Sequence, residues 1–445
     1  MSQMIYPTTN FKAVEQLTIE RGEGIYVYDN QGNKYLEGMS GLWCASLGFN
    51  HPELIAAATR QMQTLSYAHM FGGKVHEPGM QLADRISAMV PVENARVFMG
   101  SSGSDANDSH IKMLRYYFNA IGKPEKRKII ARERSYHGVS VASACLTGLP
   151  VNQNGFDLPI DALGILRTDA PHYLRGKLDG ESETEFVDRI VGNLEALIER
   201  EGADTIAAFI AEPITGASGV LVPPEGYYEK VQALLTKYEI LFWADEVITG
   251  FGRTGADFGC TSMGIQPQLM SFAKQLSSAY VPISASVIPG FMYDAMIDES
   301  ATQGVFGHGY TYSAHPLACA VALKTLEIYE RDQVFEKAAA TGDYLQRRLR
   351  EFEAHPLVGE VRGKGMIAAV ELVADKDTCT PFTNPGAIGG FAANACQKEG
   401  LISRPVAGSS LALCPPLITT QAQIDEIIDK MGKALNATLK HVNQS

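Results

Sequence analysis

The chain has 445 residues, more than the roughly 250–300 at which one hydrophobic core stops growing, so a large α/β domain and at least one smaller lobe are expected. Hydrophobic residues at 45% and charged residues at 20% exclude a disordered chain. A net charge of −12 excludes the concentrated Lys/Arg surface that a nucleic acid or an acidic membrane needs, which leaves small molecules as the expected ligands. Seven cysteines lie scattered with no C-x-x-C pair, the pattern of reduced thiols in the cytoplasm. No stretch reads as a secretory signal or a membrane span, and no metal is expected.

In chain order, Ile25-Tyr26-Val27-Tyr28 and Tyr35-Leu36 flank the turn Asp29-Asn30-Gln31-Gly32-Asn33, which predicts a hairpin in a peripheral lobe. Helices are predicted from Pro52 to Leu65 and from Pro78 to Val90. A repeated strand-then-helix pattern follows: a strand at Val97-Phe98-Met99, a helix from Ser104 to Ala120, and strands at Lys128–Ala131 and Ile206–Ala211. A helix from Tyr227 to Tyr238 leads into the apolar run that ends at Asp245. Near-continuous apolar strands separated by helices predict a mainly parallel sheet covered on both faces, with ligands at the strands' carboxyl ends. Residues 150–185, rich in scattered Gly, Pro and Asp, read as an irregular surface excursion. After Pro316 a long helical stretch reaches Phe352, Val361–Leu372 reads as a turn feeding a strand, and Gln421–His441 as a terminal amphipathic helix. The expected division is an N-terminal segment 1–55 joining the small domain, a large domain 56–315 and a C-terminal small domain 316–445.

Three pieces carry possible chemistry. Ser101-Ser102-Gly103-Ser104-Asp105 stands between a strand and a helix, where hydroxyls and free backbone N–H groups make either an ordinary N-cap or a phosphate site. Two apolar runs of strand length end in ionisable groups: Ile240–Ala244 delivers Asp245 and Glu246, and Leu269–Ala273 delivers Lys274. A lysine leaving a buried strand should have a depressed pKa and condense with carbonyls, although Lys364 is a rival and either acid of the pair is open. Gly250-Phe251-Gly252-Arg253-Thr254-Gly255 matches the dinucleotide fingerprint literally, but no helical pattern follows it, so the match reads as accidental. A carbonyl-binding lysine, a carboxylate for a pyridinium nitrogen and a helix-start phosphate loop are together the parts of a pyridoxal phosphate site.

From Gly22 to Leu417 the sequence resembles the class III aminotransferases of pyridoxal phosphate fold type I, in particular the amine:pyruvate or ω-transaminase group. The matching motifs include Gly41-Leu42-Trp43, Ser102-Gly103-Ser104, Tyr136-His137-Gly138, Glu212-Pro213-Ile214, Asp245–Gly255, Ala273-Lys274 and Gly309–Pro316. The resemblance implies a large domain with a seven-stranded type of sheet plus a smaller α+β domain. It also implies pyridoxal 5'-phosphate as cofactor, held as a Schiff base by Lys274, with Asp245 on the ring nitrogen and Tyr136 and Val247 on its faces. Ser102, Gly103 and Ser104 would hold the phosphate together with Thr311 from the partner subunit of a homodimer or dimer of dimers. Glu212 would lie near the phenolic oxygen and His137 behind Tyr136. Leu42, Trp43 and Phe71 would line the substrate pocket, and Arg404 would pair with a substrate carboxylate. Two departures stand out: Ser101 and Asp105 replace the usual Asn and Glu of the loop, and Gln275 replaces the glycine after the lysine. The implied reaction moves an amino group from a primary amine or ω-amino acid to pyruvate or another 2-oxo acid. An aminomutase, a decarboxylase or a cofactor-binding protein without catalysis would share these parts.

Overall fold

The computed structural model describes residues 3–12 and 16–444. The chain opens with β1 (Ile19–Glu23), β2 (Tyr26–Asp29) and β3 (Lys34–Glu37), an antiparallel ladder in which Tyr26 pairs with Leu36 as the hairpin reading expects. Asp29 fixes the turn, its carboxylate accepting the Gln31 and Asn33 N–H groups at 2.9 and 2.8 Å.

Seven strands then build the main sheet: β4 (Arg96–Gly100), β5 (Lys128–Arg132), β6 (Ile165–Thr168), β7 (Ile206–Ala211), β8 (Leu241–Asp245), β9 (Leu269–Phe272) and β10 (Ser284–Ile288). Their order is β4-β10-β9-β8-β7-β5-β6. All pairs are parallel except those of β10, which runs antiparallel to both β4 and β9. Every residue of β7 is buried, as a strand with a helical layer on each face requires.

Residues 150–185 are not simply irregular, because they contribute β6, the edge strand. That strand is short and only Ile165 and Thr168 are buried, so it lacks the apolar run that announces a central strand. The short helix Tyr173–Gly176 follows, and then the long helix Glu183–Glu201, which starts with a capping box between Ser182 and Glu185. The helical stretch after Pro316 is two helices, Pro316–Arg331 and Val334–Leu349, separated where Gln333 takes a φ of 52°.

The C-terminal part forms a second sheet of β11 (Val358–Lys364), β12 (Ile367–Leu372), β14 (Arg404–Val406) and β15 (Ser410–Leu413) in the order β11-β12-β15-β14. Both arms of Val358–Leu372 are therefore strands rather than a turn feeding one. Between them, β13 (Leu401–Ile402) leaves to pair in parallel with β3 and ties the two ends of the chain together. The glycine-rich stretch after β8 faces this sheet: the fully buried Arg253 guanidinium donates to Met366 O at 3.0 Å and Pro415 O at 2.6 Å. No dinucleotide-type helix follows it; the next helical piece is Gly259–Ser262, of 4 residues.

Candidate active site

Parallel strands point their carboxyl ends at one edge of the sheet. Asp245 ends β8, Lys274 follows β9, Glu212 follows β7, Tyr136 follows β5, and Ser102–Ser104 follow β4, which runs in the same sense as β9. A cavity of about 440 Å³ opens there, lined among others by Gly103, Ser104, Tyr136, Glu212, Asp245, Val247 and Lys274.

Asp245 is buried. Its Oδ2 accepts His137 Nδ1–H at 2.8 Å and Asn107 Nδ2–H at 2.9 Å, and its Oδ1 accepts the Val247 N–H at 3.1 Å. Burial alone would push this carboxyl up, but the hydrogen bond and charge of His137, with the Asn107 amide, hold it below the ordinary range. Glu246 turns the other way. Its carboxylate takes the Thr249 hydroxyl and the N–H groups of Gly259 and Cys260, so the second acid closes a loop and does not line the cavity.

Burial depresses Lys274, with Cys44, Asp245 and Glu212 opposing, so less of the amine is protonated than on a free lysine. Its backbone is left-handed at φ 47°, an unusual state for a residue with a side chain. Lys364 ends β11 in the other sheet, and the rival reading falls. Glu212 accepts the Tyr136 N–H at 2.9 Å on one oxygen and the Gly216 N–H at 2.9 Å on the other. Burial raises both the Glu212 carboxyl and the Tyr136 phenol.

The helix Gly103–Ala120 starts against this pocket. Ser102 is its N-cap, accepting the Asp105 N–H at 3.2 Å, and Asp105 returns the bond to Ser102 N at 3.0 Å. The replacement of Glu by Asp leaves the loop closed, since Asp105 also takes Ser101 N at 2.9 Å and the Ser284 hydroxyl at 2.8 Å. The cap and phosphate readings coexist, with Ser102 capping while Gly103 and Ser104 line the cavity. Gly103 abuts Val247, whose methyl groups would stand 3.1 Å from any Cβ placed there. Gln275 is buried beside the lysine, its amide donating to Ile248 O at 2.6 Å, so this departure has a structural task.

Leu42, Trp43 and Arg404 line the cavity as well. Phe71 and Thr311 do not. Phe71 packs at Gly309, where a Cβ would come within 3.1 Å of its ring, and Tyr67 donates its hydroxyl to Thr311 O at 2.9 Å. Both lie on an exposed face of the protein.

The family model for aminotransferase class-III matches residues 9–435. The chain belongs to the class III aminotransferases. A γ-aminobutyrate transaminase 3 from Solanum lycopersicum, described as chloroplastic, is 46% identical over 97% of this chain and 82% of its own. Among solved structures, the ω-transaminase of Pseudomonas jessenii in complex with PMP superposes with a TM-score of 0.96 at 48% identity, covering 99% of this chain and 97% of that one. A transaminase described with L-Ala gives a TM-score of 0.94 at 49% identity over 96% and 100% of the two chains. The enzyme therefore has the pyridoxal phosphate fold type I and uses that cofactor.

The aminotransferase cavity fits the group. The amides of Gly103 and Ser104 stand in the first helical turn, where no intrahelical acceptor exists, and so can meet a phosphate. Asn107 Oδ1 and His137 Nε2 are buried beside the acid without partners. Sequence reasoning missed Asn107, although its place one helical turn beyond Gly103 could have marked it as sharing that face. It also missed Leu149, Val151 and Ala217 of the wall, which lie in loops and in the short 3-10 turn Pro150–Asn152, without a periodic signal.

Proposed function

We propose that this aminotransferase takes the amino group of a primary amine or ω-amino acid and passes it to pyruvate or another 2-oxo acid in a ping-pong cycle. One observation carries the reading: Lys274, Asp245 and the open first turn of the Gly103–Ala120 helix share one cavity whose only guanidinium, among the described lining residues, is Arg404. A single fork-shaped cation matches an acceptor with one carboxylate, which favours pyruvate over a dicarboxylic 2-oxo acid. γ-Aminobutyrate, the compound in the tomato relative's name, has one primary amine and one carboxylate and fits the same arrangement.

When bound, pyridoxal phosphate supplies an aldehyde that carries the amino group and a ring that withdraws electrons from the reacting carbon. The residues do the rest. Asp245 would hold a negative charge against the ring nitrogen, Tyr136 and Val247 would cover the ring, and the Gly103 and Ser104 amides would take the phosphate with Ser102 capping their turn. His137 orients Asp245, and Glu212, which holds the backbone of Tyr136, would stand near the phenolic oxygen. Lys274, whose pKa burial depresses, would hold the cofactor and, when free, would move the proton of the reacting carbon. Leu42 and Trp43 line the substrate side.

The reading includes a homodimer, in which Thr311 and Phe71 complete the partner's site. Their placement outside their own cavity, on an exposed face, supports this. It includes the division into 1–55, 56–315 and 316–445, supported by the pairing of β3 with β13. No helix among the described residues is long and apolar enough to cross a membrane, and seven free thiols support a cytoplasmic location.

The test is an amine panel offered with pyruvate and 2-oxoglutarate in competition, with Lys274→Ala as control. Alanine should form from pyruvate in preference to glutamate from 2-oxoglutarate. Lys274→Ala should lose all turnover and the absorption of the covalently held cofactor. Carbon dioxide release without net alanine would reject transamination.

A further inference from the structure

Asn107 links three parts of the site that the fold brings from separate places. It sits on the helix whose first turn faces the cavity, four residues beyond Gly103, so about 6 Å of helix separates the two. Its side chain is 1% exposed. Nδ2 donates one hydrogen to Asp245 Oδ2 at 2.9 Å and the other to His137 O at 2.6 Å. Both partners can only accept, so the amide's orientation is fixed by chemistry. Oδ1 is then left without a donor in a buried position, and Asn107 is part of the cavity wall.

We propose that Asn107 is a positioning residue for the ring nitrogen's acid: one amide group holds Asp245 ionised and in place and ties it to the backbone of His137. The assignment rests on the pyridoxal phosphate reading of the cavity. A leucine of the same branched shape at 107 would remove the one side-chain donor to Asp245, among the described residues, besides His137. It would also free the carbonyl of His137, whose neighbour Tyr136 lies against the cofactor. One rigid helix turn thereby sets the spacing between phosphate cradle and acid, and Asn107 transmits it to Asp245.

The charged and titratable groups around Asp245 are His137 and Tyr136 from the segment after β5, Glu212 after β7, Lys274 after β9 and His110 on the Asn107 helix. All are present in each variant, so a shift on changing residue 107 reports the amide.

The experiment loads the holoenzyme with pyridoxal phosphate isotopically labelled at the ring nitrogen and follows the ring nitrogen's NMR shift against pH, in wild type, Asn107→Leu and Asn107→Asp. In Asn107→Leu the pH at which Asp245 ionises, read through the ring nitrogen's shift, should move up by about one unit, the tenfold change in Asp245 ionisation that loss of one charge-assisted hydrogen bond implies. Asn107→Asp keeps the shape and puts a second carboxyl beside Asp245, so the shift should be larger because the two acids share a proton. kcat should fall as that midpoint rises, because a carboxyl that keeps its own proton leaves the ring nitrogen without one, while the KM for the amine changes little. If both variants keep the wild-type midpoint within about 0.2 unit and lose only melting temperature or cofactor affinity, Asn107 is a packing residue and the assignment fails. If Asn107→Leu does not fold, the midpoint of Asn107→Asp decides alone. A wild type without covalently held cofactor would instead overturn the reading of the cavity itself.

Discussion

Glu37 ends β3 with one carboxylate oxygen accepting the Met39 N–H at 3.0 Å, and burial pushes its carboxyl up to about 7 against the opposing Met39 and Gly41 amides. The folded state therefore holds this proton after the unfolded chain has released it. Stability falls as pH rises from 4.5, the ordinary value, to about 7, and the loss is complete above that. Glu37→Gln should raise stability by about 3 kcal/mol near pH 8 and by almost nothing near pH 4, read as the difference between two denaturation series. Equal gains at both values would contradict the argument. At Arg404, truncation to alanine should lower kcat/KM for pyruvate by about tenfold or more, the loss of a charge-assisted hydrogen bond, while a neutral amine donor changes little. Parallel losses would remove its carboxylate role. At this scale the sequence was legible wherever a residue type had one task. Lys274 and Asp245 stood at the ends of apolar runs, but the choice of Asp245 over Glu246 by residue pattern alone was open, because adjacent strand residues face opposite sides and only the fold says which side holds the cavity. Asn107 was legible only through its place one helical turn beyond Gly103, because an amide in a helix carries no pattern of its own.

Among the elements, the contact between the Val334–Leu349 helix and the turn after β11 is a close backbone approach with a direct test. A Cβ on Gly342 would lie 2.6 Å from the backbone of Gly365, and Gly365 itself takes a φ of 58° against the backbone of Thr254 and Gly255. Neither side can yield as a flexible side chain would. Gly342→Ala should cost about 1–3 kcal/mol of stability, measured as a lower melting temperature, with the cofactor's absorption unchanged in the protein that remains folded. An unchanged melting temperature would mean that the helix slides freely over that turn. Elements with strong apolar periodicity or proline starts were legible, such as β7, β8 and the helix at Pro52. β6 was not, since an edge strand buries few side chains and owes its existence to hydrogen bonds with β5. The break at Asp332-Gln333 was hidden for the opposite reason: apolar spacing continues across it, and the interruption is a backbone angle.

For the whole molecule, the exposed aromatic group around Thr311 is the surface on which the proposed dimer depends. Tyr67 and Tyr312 meet edge to face at 6.0 Å, and Tyr312 is 60% exposed. Tyr312→Asp should put a charge into that face, give a monomer by sedimentation and weaken cofactor retention, because Thr311 would no longer reach a partner's phosphate. A dimer of undiminished cofactor affinity would move the subunit contact elsewhere. The arrangement of the main sheet was legible from its alternating pattern, whereas the placement of Phe71 outside the cavity was not, since sequence spacing does not say where a loop is carried by the fold. The pairing of β3 with β13 has a further consequence during synthesis. Tyr26 donates its hydroxyl to Glu426, 400 residues later, and at about 5–20 residues per second the first hairpin waits some 20–80 seconds on the ribosome before its partners emerge. Throughout that interval β3 offers an open strand edge to any neighbouring nascent chain, so the yield of native enzyme should depend on how crowded the translating ribosomes are.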